Sequence, residues 1–121
     1  MDEKIRQALQ RDRTIDITTI GRKSGQPRRI EIWFQNLEGR LFITGLPGRR
    51  DWYANMVANP DFTFHLKGSV RADLPAMARA ITTEAERREI LGKLLPDLDR
   101  KQDLEKWVAE SPLVEVTLNV E

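Results

Sequence analysis

Residues 14–20 (TIDITTI) and 28–35 (RRIEIWFQ) each alternate apolar and polar side chains, and the segment GRKSGQP breaks the pattern between them. Alternation with a period of two marks a strand with one buried face. Gly21, Gly25 and Pro27 admit no regular element in the gap. The two runs are therefore expected to fold back on each other as antiparallel neighbours. On the second, Ile30, Ile32 and Phe34 are expected to face one side, and Arg29, Glu31 and Trp33 the other. A lone hairpin is not stable in water, so its apolar face needs further strands.

The rest of the chain supplies them. NLEGR reads as a tight turn into a strand over 41–44, DFTFHL as a strand over 61–66, and KGS as the turn into a strand over 70–81. LVEVTLNV, 113–120, closes the set with another alternating run. Helical signals fall between and before these runs. Ile5 and Leu9 sit four apart in 3–11, and Asp51 is expected to cap a helix over 51–59 that Asn59-Pro60 ends. Thr83 and Glu86 have capping-box spacing for a helix to about residue 95, and 101–109 reads as a further helix stopped by Ser111-Pro112. Six strands with short turns and small flanking helices predict a mainly β (α+β) fold, an antiparallel barrel. The βαβ alternation and glycine fingerprint of a dinucleotide-binding fold are missing. A chain of 121 residues fits one domain, 1–121, with its N-terminal helix inside 1–12.

Composition removes several kinds of chemistry. The chain has no cysteine, which excludes disulfides, thiolate catalysis and sulfur-ligated zinc. Its single histidine, His65, leaves a protein-built metal centre or a Ser-His-acid triad poorly supplied, and His65 is expected to be a structural or surface group. Lys and Arg total 20 against 19 Asp and Glu, so a nucleic-acid module reading the basic loops ranks last. No stretch approaches the ~20 apolar residues of a membrane span, and the charged N-terminus lacks a signal-peptide core, so a cytoplasmic location is expected.

Two segments carry chemistry. In the first, Arg22, Lys23, Ser24 and Gly25, with Arg28 nearby, combine glycine-exposed N–H groups, cations and a hydroxyl, the parts of an oxyanion cradle. A solvated basic hairpin has the same composition. The second is GLPGRRDWYANM: a loop with Arg49 and Arg50 opens a helix whose N-terminus favours anions, beside Trp52 and Tyr53. Trp52 and Met56, four apart, also suit the buried face of that helix. Trp107 is expected in the core. The charges of EAERRE and RKQDLEK are expected to be solvated helix faces with supporting ion pairs.

In sequence order, TTIGRKSGQPRR, the WF pair, GLPGRRDWYANMVANP, TTEAERREI and LVEVTL resemble the deazaflavin-dependent nitroreductase family. That family lies within the flavin/deazaflavin oxidoreductases of FMN-binding split β-barrel fold, and the resemblance runs over about residues 13–121. It implies a six-stranded split barrel that binds the deazaflavin coenzyme F-420. Such an enzyme takes hydride from the reduced coenzyme to a small unsaturated or nitro-containing acceptor. FMN in the same fold is the alternative cofactor, and a non-catalytic flavin or tetrapyrrole carrier the alternative role. By the same resemblance, Arg22, Lys23, Ser24, Gly25 and Arg28 grip the anionic tail. Leu46, Pro47, Gly48, Arg49 and Arg50 form the second binding loop, leading into Trp52 and Tyr53, and Trp33 stands near the ring. No residue is assigned a catalytic role, no nucleic acid is implied as partner, and a homodimer is an expectation of the fold. Leu98, Lys101 and Leu104 occupy places where some nitro-reducing members carry tyrosines, which implies a less aromatic wall over the ring.

Overall fold

A computed structural model of the protein describes residues 1–98 and 103–119. The chain runs α1 (Glu3–Arg11), β1 (Thr14–Ile20), β2 (Pro27–Trp33), β3 (Gln35–Leu37), β4 (Arg40–Thr44), α2 (Asp51–Ala58), β5 (Asp61–Lys67) and β6 (Arg71–Ala80). It continues through α3 (Glu84–Leu94), α4 (Leu104–Glu110) and β7 (Leu113–Leu118). Lys101, expected to open the last helix, and Val120, expected to end the last strand, lie outside the described residues.

All strand pairs are antiparallel, and the seven strands form one sheet in the order β2-β1-β5-β6-β7-β4-β3. β2 and β3 stand at opposite ends of that order, yet only Phe34 separates them in the chain. The chain itself thus ties the two ends of the sheet together and curls it into an open barrel. This is where the expected second strand, 28–35, divides. Its first part pairs with β1 on one edge, and its continuation pairs with β4. At the crossover the Phe34 N–H donates to the Arg13 carbonyl at 2.9 Å, and its ring meets Phe64 edge-on at 5.2 Å. Six strand directions therefore count as seven strands. Beyond β1, the far edge of β2 has no strand partner among the described residues, which leaves the barrel open along that edge.

The strand alternation sets the cores. Ile15, Ile17, Phe64, Leu66, Leu74 and Val116 fill the barrel, joined by Phe34 and by Trp52 and Met56 of α2. The other face of β4, through Phe42, packs with Ile90, Leu91, Leu94 and Trp107 of α3 and α4. The hairpin of NLEGR closes with Glu38 and Gly39 both at positive φ, 53° and 90°, as a two-residue turn matched to strand twist requires. Thr83 caps α3 as its spacing predicted, accepting from the Glu86 N–H at 3.3 Å.

One expectation fails inside that helix. Arg88 is the solvated ion-pair former foreseen, bridging Glu84 and Glu105. Its neighbour Arg87 is only 9% exposed and pairs with no carboxylate among the described residues. Its guanidinium instead donates to the carbonyls of Ile81, Trp107, Val108 and Ser111. Three of these belong to the end of α4, where the helix dipole favours a cation; the Trp107 carbonyl also accepts from the Ser111 N–H at 3.0 Å and from Ser111 Oγ at 2.7 Å. Burial holds the Arg87 pKa below its ordinary value. Among the described residues no helix is long and apolar enough to cross a membrane.

Candidate functional site

The turn between β1 and β2 is closed by its own backbone. The Gly21 N–H donates to the Gln26 carbonyl and the Gly25 N–H to the Gly21 carbonyl, both at 2.8 Å. Gly25 supplies the left-handed residue, φ 70°. A Cβ at Gly21 would meet Ser24 Oγ at 2.5 Å, so a larger residue there requires the Ser24 hydroxyl to turn away. Ser24 Oγ accepts from the Gln26 N–H at 3.2 Å, and the Arg22 N–H donates to Asn55 Oδ1 at 3.1 Å. The expected cradle of free N–H groups is thereby reduced. Those of Gly21, Arg22, Gly25 and Gln26 are committed, and only those of Lys23 and Ser24 lack a partner among the described residues. Anion contact falls mainly on side chains, including the Ser24 hydroxyl, which is free to donate its proton.

The helix start also differs from expectation. Arg50 takes the extended cap conformation (φ −137°, ψ 133°) without a side-chain cap, and Asp51 is the first helical residue. The Asp51 carboxylate turns to Arg22 instead, 3.3 Å from its Nη2. One turn on, Trp52, Asn55 and Met56 form the buried stripe of α2 at the spacing i, i+3, i+4. The Trp52 and Tyr53 rings meet edge-on at 6.0 Å.

Two cavities flank Arg22 and Asp51, which line both. The first, about 510 Å³, lies between the turn and α2: Gly21, Arg22, Lys23 and Ser24 face Trp52 and Asn55, with Thr19, Arg28 and Ile30 contributed by the two strands. The second, about 780 Å³, lies between the other basic loop and the α4–β7 corner, with Gly48, Arg49, Arg50, Tyr53 and Ala54 facing Glu110, Ser111 and Pro112. That loop is tied down. The Gly48 N–H donates to the Glu110 carbonyl at 3.1 Å, and Thr44 Oγ1 to the Pro112 carbonyl at 2.6 Å. Gly48 has φ 125°, a conformation natural only to glycine. The corner is the one whose carbonyls Arg87 gathers.

Of the residues singled out by sequence, the structure brings Arg22, Lys23, Ser24, Arg28 and Trp52 to the first cavity and Gly48, Arg49, Arg50 and Tyr53 to the second. Gly25 shapes the turn from outside the lining. Leu46, more than half exposed, and Pro47 belong to the second loop but line neither cavity. Trp33 is not brought in. It is 55% exposed, lies on the face of β2 opposite Arg28 and Ile30, and pairs with Thr14 while Arg28 pairs with Thr19. Five residues of strand separate Trp33 from Arg28, about 17 Å. Ile30, expected to face the same side as Ile32 and Phe34, is 39% exposed and walls the first cavity. Thr19, Asn55 and the Glu110–Pro112 corner carried no site assignment from sequence. For Asn55 one signal was present: an amide interrupting the apolar stripe of a short helix.

His65 lies away from both cavities, buried between Thr18 Oγ1 and Asp73 Oδ1, each 2.7 Å from a ring nitrogen. That hydrogen bond holds the Asp73 carboxyl below its usual range. Among the described residues there is no cluster of metal-ligating side chains.

The arrangement suits an extended ligand with a planar apolar part and an acidic part. Lys23, Arg28, Arg49 and Arg50 have no carboxylate within ion-pair distance among the described residues, and Trp52, Ile30 and Tyr53 stand beside them. Among the described residues neither cavity is lined by a histidine or a cysteine. The family model described as F420H(2)-dependent quinone reductase matches residues 2–116. Among solved structures, a conserved hypothetical protein from Mycobacterium tuberculosis is 16% identical with a TM-score of 0.73, over 99% of this chain and 82% of that one. A protein described as an F-420 reductase is 18% identical with a TM-score of 0.71, over 99% of this chain and 97% of that one. A putative pyridoxamine 5'-phosphate oxidase from Listeria innocua is 13% identical with a TM-score of 0.71, over 98% and 93%. These likenesses establish the split-barrel fold.

Proposed function

Because the chain belongs to the family of F-420-dependent quinone reductases, oxidoreductases that use this deazaflavin coenzyme, we propose that the two cavities together form its binding trough. The acceptor would be a small planar unsaturated molecule, a quinone first and a nitro-bearing ring second. One observation carries this reading: two basic loops far apart in sequence meet at Arg22, and four of their cations lack a carboxylate partner among the described residues. A ligand with one phosphate needs fewer. F-420 carries a phosphodiester and several carboxylates, which suits cations spread along an extended trough.

When bound, the reduced deazaflavin supplies the hydride. The protein's own share is then binding, orientation and exclusion of water, which asks for no nucleophile and no tuned acid. Lys23, Arg28 and the Ser24 hydroxyl would hold the acidic part, with Arg49 and Arg50 doing so in the second cavity. Trp52 and Ile30 give a flat apolar wall, and Tyr53 with Pro112 bounds the second cavity. Gly25 keeps the first loop in its conformation. The positions of Trp33, Leu46 and Pro47 outside the linings give them no part here.

The test is oxidation of reduced F-420, followed by absorbance, across quinones, nitroaromatics and enones. Turnover well above the free-coenzyme rate, highest for quinones, is expected. Reduced coenzyme that is bound yet oxidised no faster than in buffer would mark a carrier and overturn the reading.

A further inference from the structure

The interior side chains of α2 include one that is neither apolar nor idle. Asn55 is 4% exposed, between Trp52 and Met56, and every polar atom of its amide is used. Oδ1 accepts from the Arg22 N–H at 3.1 Å and from Arg22 Nη1 at 3.0 Å, while Nδ2 donates to Thr19 Oγ1 at 3.2 Å. The orientation of the amide is settled by its partners, since Arg22 can only donate. Arg22 is thus held at both ends, backbone and guanidinium, by one acceptor atom. Its other contact is to Asp51, whose side chain is almost wholly in water, and such a pair is weak and screened. The restraint on Arg22 comes from Asn55.

The chemistry of that restraint matters. A carboxylate in the same place would hold the guanidinium and also cancel its charge; an amide holds it and leaves the charge whole. We infer that Asn55 is a positioning residue that keeps Arg22 fixed and positive at the junction of the two cavities, and that it thereby selects a phosphate-bearing deazaflavin over the uncharged chromophore. The inference rests on the assignment of the cavities to F-420.

Dissociation constants are to be measured by fluorescence for oxidised F-420 and for its phosphate-free deazariboflavin chromophore. The proteins are wild type, Asn55→Leu and Asn55→Asp. The expected result is F-420 weakened about tenfold or more in both variants, the scale of one lost charge-assisted hydrogen bond. The phosphate-free chromophore is expected to shift less than about twofold on the same reasoning, because it makes no such bond. Asn55→Asp keeps an acceptor for Arg22, so its thermal midpoint stays near wild type while the salt dependence of F-420 binding flattens. Equal weakening of both ligands, or no weakening of F-420, overturns the inference. A ligand-free measurement separates it from the functional reading: nitrogen-15 relaxation of the Arg22 guanidinium should report a rigid side chain in wild type and in Asp51→Asn, and a mobile one in Asn55→Leu. If wild type fails to bind F-420, the functional reading falls. If Arg22 is as rigid in Asn55→Leu as in wild type, the positioning role falls.

Discussion

Single residues decide how the site is held, and three of them set its geometry through the backbone. Arg87 gathers four carbonyls around a buried guanidinium. Replacing it with leucine removes a donor from all four, although the Trp107 carbonyl keeps those of Ser111, and is expected to destabilise the fold by about 3 kcal/mol, read by urea unfolding. Arg87→Lys recovers only part of this, because an ammonium cannot reproduce the planar fork. Gly25 has open space where a side chain would go but φ 70°, so Gly25→Ala should cost only the left-handed backbone penalty of about 1–2 kcal/mol. Gly21→Ala drives a methyl against Ser24 Oγ and should instead weaken coenzyme binding by turning that hydroxyl away, a difference that titration with F-420 would show. The residue scale was also the least legible in sequence. Helical spacing puts Arg87 on the apolar stripe of Ile90, Leu91 and Leu94, but most of the carbonyls that draw it inward come from the end of α4, which no local pattern shows. Trp33 was expected near the ring from the family resemblance alone. Strand parity, visible in the sequence, already put it on the face opposite Arg28.

Elements were read more faithfully, because strand alternation is a local signal. The first strand, α1 and the Thr83-capped helix form where the pattern placed them, and the last strand begins where expected and runs to Leu118. The break at Phe34 was hidden, since it reflects a change of pairing edge rather than a change of side-chain pattern. The outer faces of these strands carry ion pairs that set the acid response. Asp16 is held below its ordinary pKa chiefly by the hydrogen bond from Lys67, and Glu115 chiefly by that from Arg40. Glu86 is lowered by Arg79. Each has a folded pKa below its unfolded one, so each contributes stability that is fully present above the unfolded value and is lost as pH falls through the depressed one. The unfolded references are 3.8 for Asp16 and 4.5 for the two glutamates. The urea midpoint should therefore stay level from neutral pH to about 5 and fall below that range. Glu115→Gln should start lower and fall less. A midpoint in wild type that rises on acidification would contradict these pairings.

At the scale of the whole molecule, the two basic loops meet beside α2, which packs against β1 and β6. Sequence motifs pointed to both loops but not to the partition between them, because Arg22, Asp51 and Asn55 meet only once β1 and α2 pack together. If cations along the trough carry recognition, F-420 binding must weaken markedly as ionic strength rises through the physiological range, and Lys23→Ala and Arg49→Ala should each reduce that slope. The central claim is that one ligand engages both loops at once. Hydrogen–deuterium exchange with and without saturating F-420 tests it most directly. Protection should appear together in residues 21–28 and 48–55, with the segment around Trp33 unchanged. Protection confined to one loop, or centred on Trp33, would contradict it.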